Sequence, residues 1–310
     1  MPFDKRTLVL PEGAVFEERS IRAPADLILG DHVRCAYGLA TPARVLLGNG
    51  VEVGGDVQCG GDLRADTSTH IDGSVNVGAA GYLGERCFVK GDLEVALDLD
   101  VGDDVRVGGR LSAKGWVNKR DPVPLVIYVF LYLLELMRLG HSAEVERILK
   151  ELEENEAAAE IAVGEGFLFV PDGSVLDVTA LDVHGNLDAA KGVRILGNAT
   201  VRGHARLGEG VRVFGALRCD GDVELRPGAE VQGDLVSAGQ VTVGEGCMVL
   251  GSLHGRSVIL YPGATVDGKV VALEGVSFRT EAQAKAQATA EENVESFAVT
   301  KTADLADLLG

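Results

Sequence analysis

Aromatic residues make up only 5% of the chain, so few large rings are available and the core must be narrow and aliphatic. Basic residues are also short: 29 Lys and Arg stand against 47 Asp and Glu, a net charge of −18. Such an acidic surface repels the backbone of nucleic acid and anionic lipid alike, which argues against either as a general partner. There is no P-loop, dinucleotide fingerprint or Ser-His-Asp order, so neither a nucleotide nor a cofactor is expected. The opening residues MPFDKRTLVLPEG hold no apolar run long enough for a secretory signal. Cysteine is sparse and odd in number: Cys35, Cys59, Cys87, Cys219 and Cys247, with no Cys-x-x-Cys pair. A reducing cytoplasm is the expected compartment.

Glycine is plentiful, 41 of 310 residues, where about 7% is ordinary. The stretch VEVGGDVQCGGDLRAD, residues 51–66, shows how it is used. Gly-Gly-Asp occurs there twice, six residues apart. Written in sixes from Val15, the first half places Val33, Leu39, Val45, Val51, Val57 and Leu63 at first positions and continues to Val117 without a break. Only Thr69 and Gly81 are not apolar in this series. The third positions are mostly apolar too, including Leu29, Cys35, Leu47, Val53 and Cys59. Two inward residues flanking an outward one are the period of a short strand. The remaining three residues, rich in Gly, Asp and Asn, are a corner. Three such sides make a coil of 18 residues, and repetition of the coil makes a parallel β-helix.

A second series runs from Val175 to Leu253, slips by one residue, and continues as Val258, Ala264, Val270 and Val276. The two series match at an offset of 160: Pro11 and Gly13 with Pro171 and Gly173, and Cys59, Gly61 and Asp62 with Cys219, Gly221 and Asp222. This pattern reads as a tandem duplication. Asp56 and Asp62 close their hexads, so they are expected to hold turn amides rather than a metal. The nine-residue repeat of calcium-binding β-helices is absent.

Residues 121–160 break the hexads. Asp121-Pro122 suits a helix start, and VPLVIYVFLYLLELMRLG, residues 123–140, is apolar almost all round. It is shorter than the ~20 residues that span a bilayer. Gly140, Ser142 and the Val145, Ile148, Leu149, Leu152 stripe complete an expected helical hairpin. Its first helix is expected to cover the end of the first β-helix or join the domains. The alternatives are a subunit interface and peripheral membrane contact through 123–139. The Ala-, Gln- and Glu-rich tail from Glu281 is expected to be helical, with a small Leu face near its end.

Catalytic chemistry finds little footing. His32, His70, His184, His204 and His254 fall on corners or outward positions, and His141 lies in the 121–160 break. No pair has the five-residue spacing of a β-helix zinc site, so no metal is expected. A hexapeptide-repeat acyltransferase needs a His base and a loop thrown out of the coil, and neither half shows such a loop. All five Cys occupy inward positions, where they act as small hydrophobes.

The closing stretch SVILYPGATVDGKVVALEGVSF, residues 257–278, resembles the end of a bactofilin domain, and VRVFGALRCDGDVELRPGAEVQGDL, residues 211–235, is similar to its interior. The resemblance implies a polymer-forming cytoskeletal protein with a right-handed β-helix of about six windings. It also implies end-to-end assembly without nucleotide, a role such as cell shape, and membrane contact through a short segment. The chain departs from that pattern in its two domains, its expected hairpin and its short tails.

The expected architecture is therefore all-β with a helical insertion. A first β-helix occupies 1–120, a hairpin 121–160, a second β-helix 161–280 and a helical tail 281–310. The expected function is non-enzymatic: assembling or regulating polymers with copies of itself or other bactofilin-like subunits, in the cytoplasm or associated with a membrane. The alternatives are an acyltransferase and a capping regulator of other filaments. The candidate assembly or end-cap residues are Leu8, Leu10, Val15, Leu125, Ile127, Phe130, Leu133, Val276 and Phe278.

Overall fold

The computed structural model describes residues 5–17, 19–119, 167–177 and 179–279. Their short strands wind as β-solenoid coils with three faces. The expectation of β-helices joined by a helical hairpin and closed by a helix is corrected, because the described residues form no helix at all. The stretches on which those helices were expected, 121–160 and 281–310, lie outside the described residues.

The chain divides into two compact units, one made of Arg22–Leu168 and the other of Met1–Ile21 with Phe169–Gly310. In the Arg22–Leu168 unit, the first face stacks six strands: Asp26–Leu29, Val45–Leu47, Leu63–Ala65, Gly81–Leu83, Leu99–Val101 and Val117–Lys119. The other two faces begin with Arg34–Cys35 and Gly38–Thr41. Every rung is parallel and 18 residues from the last: Leu27 lies opposite Val45, Leu39 opposite Val57, and Arg34 opposite Glu52. The sixfold spacing thus becomes vertical stacking, in which each inward residue sits on its counterpart one coil earlier. Val33, Val45, Val51, Val57 and Leu93 are completely buried as a result.

The second unit repeats the plan, with Leu187 opposite Ala205 and Leu217 opposite Leu235. The slip seen after Leu253 is real. Val241 pairs with Val258, 17 residues on, and 18-residue spacing returns between Val258 and Val276. The two exceptions in the first series are accommodated separately. Thr69 is 1% exposed, and its hydroxyl lies 2.9 Å from the Asp66 carbonyl and 3.1 Å from the Gly48 carbonyl. A Cβ on Gly81 would stand 3.0 Å from Leu99 Cδ1, so its missing side chain makes room for the leucine above.

Two features depart from the hexad reading. The first hexad of each half is not wound as a coil side. Val175–Leu176 folds back antiparallel on Ala180–Val183, and the Glu17 amide donates to the Ser20 carbonyl at 2.8 Å. The turn shifts the inward position by one, burying Phe16 (7% exposed) and leaving Val15 42% exposed. The second departure is the partner of the N-terminal strand. Thr7–Leu10, read from the sequence with residues 1–120, runs parallel to Asn186–Ala189 of the second repeat.

The corners answer the question posed by Gly-Gly-Asp. Asp56 Oδ1 accepts from the Ser74 amide at 2.8 Å, and Asp62 Oδ1 accepts from the Ala80 amide at 3.0 Å. Asp92, Asp98, Asp222 and Asp234 hold the amides 18 residues on at 2.7–2.8 Å. Each carboxylate satisfies a corner N–H that no strand can reach. One further corner column takes the left-handed conformation on successive coils. Its residues are His32, Gly50, Ser68, Arg86 and Asp104 in the first series, and glycines throughout in the second.

Candidate assembly surface

In each unit the inward columns stay closed until the last coil and then open. In the second-repeat unit Leu235, Leu253 and Val270 share one column, with exposures of 0%, 0% and 37%. Val241, Val258 and Val276 share another, at 0%, 0% and 40%. Phe278 is 75% exposed and Leu273 is 84% exposed on the same terminal coil. The Arg22–Leu168 unit behaves alike. Leu93 and Leu99 are fully buried, whereas Leu111 and Val117 one coil later are 43% and 52% exposed. Trp116 beside them is 78% exposed.

The inward columns stay aliphatic to the end, so the exposure of Leu111, Val117, Val270 and Val276 follows from the absence of a further described coil. Trp116 and Leu273, by contrast, lie on corner columns whose earlier members Asp98 and Arg256 are exposed too. The backbone gives the same picture. The strands Thr265–Val266, Val270–Ala272 and Val276–Phe278 are last in their sheets, as are Arg106–Val107, Leu111–Ala113 and Val117–Lys119. Among the described residues each terminal coil therefore presents three strand edges together with an apolar centre. Such an edge is a template for strand addition.

The candidate residues separate into three groups. Val276 and Phe278 lie on the open coil. Leu8 and Leu10 are completely buried on the Thr7–Leu10 strand, and Val15 is exposed on Val15–Phe16, opposite Arg194. Leu125, Ile127, Phe130 and Leu133 lie outside the described residues. Sequence reasoning missed Leu111, Trp116, Val117, Val270 and Leu273. The hexad register carried the signal for Leu111, Val117 and Val270, since an inward residue on the last coil of a series has no further described coil above it.

Elsewhere the described residues are plain. An open groove of about 580 Å³ runs along the first face of the second-repeat unit, past Asp188, His204, Arg206 and Glu224. His204 Nδ1 accepts from the Asp222 amide at 3.0 Å, so that nitrogen is already engaged. Among the described residues no group of three or more His, Cys, Asp or Glu is placed to hold a metal ion. All five thiols are buried, and burial pushes Cys35 up to about 12 and Cys59 up to about 11. Such thiols stay protonated and unreactive near neutrality. The most buried charge, Asp26 at 5% exposure, accepts from the Arg44 amide at 3.1 Å and pairs with its guanidinium at 2.5 Å. Among the described residues no helix is long and apolar enough to cross a membrane. The chain matches no protein-family model, no curated protein and no solved structure.

Proposed function

We propose that the chain is a non-enzymatic structural protein of the bactofilin type, built by duplication of one solenoid domain. It associates through its terminal coils into nucleotide-independent polymers or scaffolds in the cytoplasm, in a cytoskeletal role such as support of cell shape. The observation that carries the reading is the opened column at the last coil, where Val270 and Val276 repeat buried Leu253 and Val258 but stand 37% and 40% exposed. A second coil of the same geometry would bury these residues and complete three strand edges at once. Association of this kind requires no bound nucleotide, because strand pairing and apolar burial supply it.

Copies of this chain or related solenoid subunits are the partners of this reading. A membrane contact through 123–139 is a further expectation, one that falls outside the described residues. The test is sedimentation velocity of the full chain across concentration and salt. Growth in size with concentration, abolished by a charge at Val276, supports the proposal. A fixed trimer with affinity for acyl-CoA would instead favour an acyltransferase. A monomer that shortens the polymers of a related protein would favour a capping regulator.

A further inference from the structure

The N-terminal strand and the sheet it completes belong to distant parts of the chain. Leu8 lies opposite Leu187 and Leu10 opposite Ala189, in a four-residue parallel register. The Asn186 amide donates to the Arg6 carbonyl at 2.8 Å, and the Ala190 amide donates to the Leu10 carbonyl at 2.8 Å. Leu8 and Leu10 are completely buried on this strand. Yet residues 22–168 intervene, and they form a separate compact unit. The second-repeat unit is thus made from two pieces whose covalent link passes wholly through the other unit.

The sequence does not make this pairing unique. TLVLPEGAVF, residues 7–16, and FLFVPDGSVL, residues 167–176, share Leu, Pro, Gly and Val at equivalent positions. The bonds at the Asn186–Ala189 edge are almost all backbone bonds, which carry no memory of the chain that supplies the strand. Connection to the same chain gives only an effective concentration. Thr7–Leu10 is not at a sheet edge: it lies between Asn186–Ala189 and Phe167–Val170, antiparallel to the latter with Val9 opposite Phe169. It is joined to the second-repeat residues by a single crossing, and an element so joined is the kind that domain swapping exchanges.

We propose that residues 7–16 are an exchangeable donor strand, which docks on the Asn186–Ala189 edge of a second copy of this chain as well as on its own. Each chain then carries one donor and one acceptor, so exchange links chains into closed dimers or longer series. The proposal stands independently of association through the terminal coils.

Val9 and Asp188 lie opposite each other on the two strands, and both are only partly buried. Chains carrying Val9→Cys alone and Asp188→Cys alone, differing in a mass tag, are mixed at high concentration and treated with diamide as the oxidant. The five native thiols are buried and do not compete. The expected result is a disulfide-linked heterodimer whose yield rises with protein concentration. It should persist when both chains also carry Val276→Lys, which separates strand exchange from terminal-coil contact. The double variant in one chain is the reference, as is the Thr7→Cys, Asn186→Cys pair. Closure within single chains without heterodimer overturns the exchange. Failure of both pairs to close within one chain overturns the pairing on which it stands.

Discussion

Val276→Lys should separate folding from the proposed assembly. Val276 is 40% exposed, Val270 37% and Phe278 75%. Full burial of such side chains is worth about 1.5–3 kcal/mol each. Completing it adds about 1 kcal/mol at each valine and about 1.5–2 kcal/mol at Phe278, or about 4 kcal/mol for the face. Association itself costs about 4–15 kcal/mol. The apolar face alone therefore gives weak contact, and hydrogen bonds along the three strand edges must supply the surplus. Val276→Lys removes about 1 kcal/mol of burial and leaves an unpaired ammonium in the contact at a cost of about 3 kcal/mol or more. Together these weaken association by about 1,000-fold. In the free subunit the lysine stem lies along the open coil with its head in water, so stability changes by less than about 0.5 kcal/mol. Sedimentation velocity over a concentration series reads the first quantity and thermal unfolding the second. Thr200→Lys, which adds the same charge at an exposed outward position, is the control. Association of Val276→Lys equal to wild type would refute the reasoning, and so would a loss of assembly that appears only with loss of folding.

Other outcomes follow from the coils themselves. A Cβ on Gly78 would lie 2.4 Å from the Gly60 carbonyl oxygen, so Gly78→Ala should destabilise the first repeat by about 2 kcal/mol or more, read as a lower denaturant midpoint. Arg86 holds φ at 57°, where the second repeat has glycine, so Arg86→Gly should stabilise by about 0.5–1 kcal/mol in the same assay. Asp62→Ala leaves the Ala80 amide without its acceptor at 3.0 Å and should cost about 1 kcal/mol. The Cys35 thiol is raised from 9.0 to about 12 by burial, so the unfolded chain loses that proton before the folded one does. Its contribution is intact below pH 9 and is lost as pH rises toward 12, at up to about 1.4 kcal/mol per pH unit. Cys35→Val should flatten that part of the alkaline stability curve, and an unchanged slope would contradict the assignment.

Much of the fold was legible because its period is short and strict. Sixfold spacing specified 18-residue rungs, the inward cysteines and even the slip after Leu253, since each depends only on which residues share a column. The first hexads were not legible. Val15 and Phe16 are both apolar, and only the antiparallel turn decides that Phe16 goes inward. The partner of Thr7–Leu10 was hidden for a different reason. Leu27–Leu29 and Leu187–Ala189 are equivalent edges at an offset of 160, and pattern alone cannot choose between them. The candidate surface was half legible. Val276 and Phe278 are marked by their place at the end of the second series, whereas Leu111 and Val117 are followed closely by the apolar stretch 123–140, which is an equally good apolar candidate for that end, and Trp116 is on a corner that the hexad pattern does not mark.

The account rests on the last coil as the growing edge. Electron cryomicroscopy of the full chain at concentrations where it associates tests this most directly. The account predicts junctions in which Val270 and Val276 are covered by another coil, with strand spacing of about 4.7–4.9 Å continuing across the boundary. Single subunits at every concentration, or junctions made through outward faces with Val270 and Val276 still in water, would contradict it.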